Sequence, residues 1–333
     1  MVRLLAEWEN QQGVLLTWPH EFCSWRDSMS EIWHCYEEIT WQITRFEAVH
    51  ILCYNQALRN KIQTRLFHLG IPEQRLQFHI IVSNDTWIRD YGPLRIKKHD
   101  TDHLIKFRFN GWGGKYSSKF DDRVTNTLFK RSPFVSMPQQ IVNFVLEGGS
   151  IDSNGQGCLL TTTSCLLNAN RNPTYNKFLI EAQLKHDLGI QQVIWLEVDS
   201  LPNDDTDGHI DTLARFCNPT TIIYNDCRNQ DTHCKPLGRQ LQDALAALQC
   251  SSSSSAMQLI TCPLPTAAKA LPASYVNFLI INHAVLVPTY QDPLDIGVLS
   301  LFAQLFPDRE VIGIDCMPLI KQYGSLHCAT MQF

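Results

Sequence analysis

The sequence predicts an α/β fold built from a repeated hairpin–helix–strand unit. Three observations predict it: helical periodicity that stops at a glycine and runs on into a short apolar strand, apolar hairpins ahead of such helices, and chemistry-bearing motifs at regular spacing. Residues 55–70 read as a helix, with Asn55 as cap, Leu58, Ile62, Leu66 and Leu69 on one face, and Gly70 as the stop. Pro72 then leads into an apolar strand over residues 78–82. At 172–196 the pattern recurs: Asn172 reads as the cap, Pro173 as the first helical residue and Gly189 as the stop before a strand at 193–196. At 292–314, Asp292 and Pro293 open a helix and residues 310–314 follow as a strand. Residues 277–281 and 284–287 are apolar runs joined by Asn282 and His283, which reads as a hairpin.

The chain has 333 residues, 44% of them hydrophobic and 18% charged, enough apolar material for a large core and too little charge for disorder. Apolar runs are only a few residues long, far short of the ~20 needed to cross a bilayer, so membrane insertion is not expected. The net charge of −5 comes without a basic stripe, which argues against nucleic-acid binding. The first residues place acids and a tryptophan where a signal peptide has its apolar stretch, and a cytoplasmic location is the expectation. Twelve cysteines are scattered with no C-x-x-C pair, and most are read as reduced, buried small hydrophobes. The serine run 251–255 within residues 249–262 reads as a surface loop.

Four motifs carry polar chemistry, most of them just after a strand. They are Asp85-Thr-Trp-Ile-Arg-Asp-Tyr-Gly-Pro93, Glu147-Gly-Gly-Ser150, Asp204-Asp-Thr-Asp-Gly-His-Ile-Asp211 and Gly324-Ser-Leu-His-Cys328. Asp90 to Glu147 spans 57 residues, Glu147 to His209 spans 62, and His209 to Cys328 spans 119, about twice the repeat. Such a repeat fits the chain five times, each unit offering a strand end to one shared centre, with the unit near residues 271–275 contributing something less obvious. In an extended segment His209 and Asp211 point to the same side, so imidazole and carboxylate share a site. Cys328 is a candidate nucleophile if something cationic lowers its pKa. A thiol among several carboxylates is a poor home for an anion and a good one for a guanidinium, whose donor fork matches two carboxylates. A metal site is the competing reading. The one H-x-x-x-H spacing, His99 to His103, falls in a polar hairpin turn without the helix that would align both rings.

Together these motifs resemble the agmatine deiminases, within the peptidylarginine deiminase-like guanidine-modifying superfamily. The resemblance also rests on Ala6-Glu-Trp-Glu9, Trp18-Pro-His20, Phe109-Asn-Gly-Trp-Gly-Gly-Lys-Tyr116, Asn170-Arg-Asn-Pro173 and Leu271-Pro-Ala-Ser-Tyr275, and so runs from residue 6 to 328. It implies one catalytic domain over residues 1–333 with a five-bladed α/β propeller of pseudo-fivefold symmetry (the pentein fold). It also implies hydrolysis of agmatine to N-carbamoylputrescine and ammonia through an amidino-cysteine intermediate, as a step of polyamine metabolism. By the same resemblance Cys328 is the nucleophile and His209 the general acid and base. Asp90 and Asp211 grip the guanidinium, while Glu147 binds a substrate nitrogen and holds His209. Trp87 offers a cation–π face and Asp205 an anion for the amine. The partner is a small cationic guanidinium compound, with no cofactor and no metal, and a homodimer is the expected assembly. Peptidyl-arginine or free arginine is the alternative substrate, giving citrulline. The chain departs from the family pattern in having Tyr323 where a glycine run precedes His-Cys, and Asn203 where a glycine precedes the acidic pair.

Overall fold

Parallel strands need a long crossover between them, and a chain of hairpins, helices and further strands supplies one each time. The computed structural model describes residues 2–226, 235–246, 257–268 and 270–333, and among these the strands form five separate sheets. One pairing recurs in all five: an antiparallel pair of strands, then a third strand parallel to the second. In the first sheet Leu94–Lys98 pairs antiparallel with Thr101–Arg108, which pairs parallel with Gln139–Val145. The second repeats this with Ile151–Ser153, Cys158–Thr162 and Gln192–Leu196. The third uses Ala214–Asn218, Thr221–Asp226 and Gln258–Pro263, and the fourth Leu279–Ile281, Ala284–Thr289 and Glu310–Asp315. In the fifth, Thr330–Gln332 from the end of the chain pairs with Gly13–Thr17, which runs parallel to Ala48–Cys53. Helices Asp121–Leu128, Lys177–Leu188, Lys235–Ala246, Asp295–Leu305 and Met29–Thr44 lie between the second and third strands of their sheets. The α/β class and the repeated unit match the sequence reading.

The helix at Gln56–His68 is capped by Asn55, whose side chain accepts from the Leu58 N–H at 2.8 Å, a contact worth about 0.5–2 kcal/mol. The strand after it is Leu76–Ile80, two residues earlier than the apolar run suggests. It adds a fourth, parallel strand to the fifth sheet and so extends the repeated unit. Two helix starts differ from the sequence reading. The helix expected to open at Asn172 begins at Lys177 with Asn176 as cap, because the Asn172 amide is spent on the backbone N–H and C=O of Val145. The helix expected at Asp292 begins at Asp295; Asp292 instead accepts from the N–H groups of Thr266, Ala267 and Leu294. The serine run 251–255 lies outside the described residues, and the loop assigned to 249–262 ends in the strand Gln258–Pro263. His99 and Asp100 form the expected hairpin turn, both with positive φ. Cys35, Cys53, Cys165, Cys217, Cys262 and Cys316 are buried free thiols, in line with the reading for most of the cysteines, whereas Cys158 is disulfide-bonded.

Gly189 ends the Lys177–Leu188 helix in the left-handed conformation, φ +69, and a Cβ there would lie 1.9 Å from the Val2 carbonyl oxygen. The Gly189→Ala variant is therefore expected to lose about 1–3 kcal/mol, a melting temperature several degrees lower by calorimetry, since strained φ and backbone collision add. An unchanged melting temperature would contradict this account of the junction.

Candidate active site

Strand ends bring the motifs together. Asp90 sits on the short helix Ile88–Tyr91 and is buried. Its Oδ1 accepts from the Gly149 N–H at 3.0 Å and its Oδ2 from Trp112 Nε1 at 2.9 Å. Trp112 reaches that position because residues 111–114 all have positive φ, 53° at the tryptophan itself. For a residue with a Cβ this conformation costs about 1–2 kcal/mol, and the three surrounding glycines share the turn without it. The glycine-rich segment after Phe109 is thus an indole mount for Asp90, a role that sequence reading did not assign.

Glu147 follows the strand Gln139–Val145 and is fully buried. Both its oxygens accept from Arg171 Nε at 2.9 Å. Arg171 goes on to Asp207 Oδ2 at 2.7 Å and the Thr206 carbonyl at 2.9 Å, so it ties Glu147 to the acidic loop. Asp204 accepts from the N–H groups of Thr206 and Gly208, and Lys115 pairs with Asp207 at 2.7 Å. This holds His209 with Nδ1 3.7 Å from Asp90 Oδ1. Glu147, Cys165 and His209 each bring a donor atom within 4.8 Å of the others, although Arg171 already occupies the carboxylate. Between these groups lies Gly149. A Cβ there would be 2.6 Å from His209 Nδ1 and 3.0 Å from Asp211 Oδ2 and from Asp90 Oδ1, so only glycine lets the three converge.

Cys328 lies beyond the strand Glu310–Asp315 and faces Asn277 Oδ1 at 3.5 Å. Asn277 also accepts from the His327 N–H and donates to the Asp211 carbonyl. It follows the strand Gln258–Pro263, and is the contribution of the repeat whose role the sequence left open. Asp211 Oδ2 bonds His327 Nδ1 at 2.7 Å, while Asp211 Oδ1 is buried with no hydrogen-bond partner.

A cavity of about 90 Å³ opens onto these groups. Cys328, His209, Asp90, Trp112, Asp85, Asp205, Tyr116, Tyr323 and Trp87 line it. Asp211 and Glu147 are not among the lining residues; Asp211 Oδ2 lies beside Gly149. No Arg or Lys is among the described residues that line it. Tyr116 Oη donates to Asp205 Oδ2 at 2.8 Å. Gly324 packs flat on Trp87, where a Cβ would come within 2.4 Å of the indole. Tyr323 and Asn203, the two departures from glycine, both keep the left-handed backbone, with φ of 64° and 59°.

Burial, then the charges of Asp211 and Asp90, push the Cys328 thiol well above its ordinary range. For His209 burial works against the cation, but Asp90, Cys165 and Glu147 outweigh it and hold the ring protonated well above its usual pKa. Burial, with Asp211 and Glu147 adding to it, raises Asp90 despite His209. Burial also opposes ionisation of Asp211, but the His327 hydrogen bond and charge hold its carboxyl below the usual range. Burial and the nearby Asp205 raise Asp85 to about 6. The site is a thiol and an imidazolium among carboxylates, arranged to receive a cation.

A sequence model of the Porphyromonas-type peptidyl-arginine deiminase family matches residues 3–333. The chain is 29% identical to an agmatine deiminase of Pseudomonas aeruginosa, over 99% of this chain and 95% of that one. Among solved structures it resembles a cysteine-to-serine variant of a C. jejuni agmatine deiminase with substrate bound, at 34% identity and a TM-score of 0.90, covering 100% and 96% of the two chains. It is also similar to the agmatine deiminase of Enterococcus faecalis, with a TM-score of 0.91 at 26% identity, covering 99% and 95%. With the match running from one end of the chain to the other and the motifs gathered at one cavity, this protein belongs to the Porphyromonas-type peptidyl-arginine deiminase family.

Proposed function

We propose that this protein is an agmatine deiminase that hydrolyses the guanidinium of agmatine to N-carbamoylputrescine and ammonia. The observation that carries the reading is the unpartnered, buried Asp211 Oδ1 beside a thiol whose ionisation Asp90 and Asp211 both oppose. That assembly lacks one cation, and a guanidinium supplies it in planar form. Asp90 and Asp211 grip its nitrogens, and its charge offsets theirs at Cys328, so the thiol releases its proton to solvent as substrate binds. Cys328 Sγ then bonds to the guanidinium carbon. His209 donates a proton to the departing nitrogen, the C–N bond breaks, and ammonia leaves an amidino-cysteine. The now neutral His209 takes one proton from water, whose oxygen bonds to the same carbon; the C–S bond breaks and the remaining hydroxyl proton leaves to solvent, giving the ureido product, the thiolate and a protonated His209. Glu147 holds His209 from behind through its place beside Arg171.

The acids that line the cavity select the substrate. Asp85 and Asp205 offer anions there and no lining cation waits for a carboxylate, which favours an amine over the carboxylate of free arginine. Trp87, backed by Trp25 at 5.7 Å, faces the alkyl chain and the cation. The names carried by the similar proteins favour the same substrate. We infer further that the five sheets are five blades about a pseudo-fivefold axis in one domain spanning residues 1–333, each blade turning the residues after its parallel strand toward one centre. Among the described residues no helix is long and apolar enough to cross a membrane. The reading carries with it a cytoplasmic enzyme that needs no cofactor and assembles as a homodimer, the last to be read by light scattering.

Ammonia release from agmatine, free arginine and a blocked peptidyl-arginine, with and without EDTA, tests the reading. Chelator-insensitive release from agmatine alone is expected. Release only from an arginine derivative would keep the Cys328 chemistry and overturn the substrate; loss with EDTA would return the metal reading. Asp90→Asn is expected to lower kcat/KM for agmatine about 10²-fold, the ~2–3 kcal/mol of a charged hydrogen bond, and Cys328→Ala to abolish turnover with the circular dichroism spectrum intact. Wild-type turnover by either variant would remove that residue from the site.

A further inference from the structure

His327 immediately precedes the nucleophile, and its ring is buried between two carboxylates. Nδ1 meets Asp211 Oδ2 at 2.7 Å and Nε2 meets Glu7 Oε2 at 2.8 Å. An ionised carboxylate only accepts hydrogen bonds, so the two contacts are both satisfied when each ring nitrogen carries a hydrogen, which is the imidazolium. Glu7 is fixed from three sides: its Oε2 accepts from Arg215 Nη2 at 2.9 Å, its Oε1 from the Ile280 N–H at 2.6 Å, and Arg89 Nη1 stands 3.9 Å away. Arg215 is itself held by Asp152 Oδ1 at 3.0 Å and the Phe278 carbonyl at 2.8 Å, and Arg89 Nε donates to the His327 carbonyl at 3.2 Å. Glu7 belongs to the N-terminal segment, so a residue that never reaches the cavity is wired to the cavity wall through one imidazole.

We propose that Glu7 and His327 are positioning residues that act on the reaction through Asp211. The His327 cation pins Asp211 Oδ2 and keeps the carboxyl ionised, leaving Oδ1 free for the guanidinium. It also sets one positive charge next to the nucleophile loop, against the negative field of Asp90 and Asp211. The proposal rests on the guanidinium-deiminase reading of the site. The charged groups facing His327 are Glu7 and Asp152 with Arg89 and Arg215 on one side, and Asp211, with Cys328 and His209 beyond it, on the other. The direction of the pH effect follows. Asp211 is ionised above its lowered pKa and protonates as pH falls through it, and Glu7 holds the cation that lowers it. Removing the Glu7 charge takes away one of the two carboxylates that hold the His327 ring and weakens the contact that lowers Asp211, so the acid limb of kcat/KM moves to higher pH.

The test is Glu7→Gln, which keeps shape and removes charge. Its acid limb for agmatine is expected to move up by about one pH unit, with KM raised on that limb and kcat changed less than threefold. Glu7→Asp is expected to restore part of the shift. A folded Glu7→Gln enzyme with a superimposable pH profile would overturn the proposal, because a merely structural role lowers stability without moving that limb. Should Glu7→Gln not fold, His327→Gln, which retains a donor toward Asp211, is read the same way. Calorimetric binding of agmatine to Cys328→Ala, with and without Glu7→Gln, separates the two levels. Binding that weakens with the second change supports the positioning role, and equal binding in the two refutes it. An absence of wild-type turnover of any guanidinium compound sinks the underlying reading instead.

Discussion

The site depends on which acids the buried arginines neutralise. Arg171 is committed to Glu147 and Asp207, and Arg215 to Glu7 and Asp152. Arg89 stands against Glu7. Those pairs are the expensive part of the interior, since each buried ion needs its partner in good geometry. What they leave over is the functional set: Asp90 and Asp211 are matched only to imidazoles, and Asp85 and Asp205 have no arginine or lysine bonded to their side chains among the described residues. An interior that neutralised every acid with arginine would be more ordinary and would have nothing to bind a guanidinium with.

From that distribution the backbone details follow. Carboxylates and an imidazole can crowd together only where the chain between them carries no side chain, which is why Gly149 sits in the middle. Asp90 needs donors that do not neutralise it, and an indole N–H and a backbone N–H serve, at the cost of a left-handed tryptophan. The nucleophile loop needs a residue without a side chain against Trp87, and Gly324 provides it, while Tyr323 beside it takes a positive φ and lines the cavity.

Much of this was legible in the sequence, and the exceptions have a common cause. Local signals were read correctly where the partner is local: Asn55 caps its own helix and Gly189 ends its own. Asn172 and Asp292 look like caps by the same local rule, yet Asn172 bonds the backbone of Val145 and one Asp292 oxygen that of Thr266 and Ala267, each 25 or more residues away, which no local pattern reveals. The site shows the same split. Cys328, His209, Asp90, Asp205 and Trp87 stand around one cavity, with Asp211 and Glu147 buried and outside its lining. Asn277, Arg171, Trp112 and Glu7 were not assigned roles, because each acts on a residue from another sheet or from the opposite end of the chain. Asn170-Arg-Asn-Pro173 and Ala6-Glu-Trp-Glu9 were visible as motifs, and that was the available signal.

The central claim is electrostatic: without substrate, the carboxylates keep Cys328 a thiol, and the guanidinium is the missing charge that ionises it. The most direct measurement is the pH dependence of Cys328 alkylation by iodoacetamide, a neutral reagent, in the free enzyme, followed by peptide mass spectrometry. The account predicts a rate that still climbs beyond pH 9.0, the ordinary value for a cysteine thiol. A rate that reaches its plateau near neutral pH would mean a thiolate formed before substrate arrives, and would contradict it.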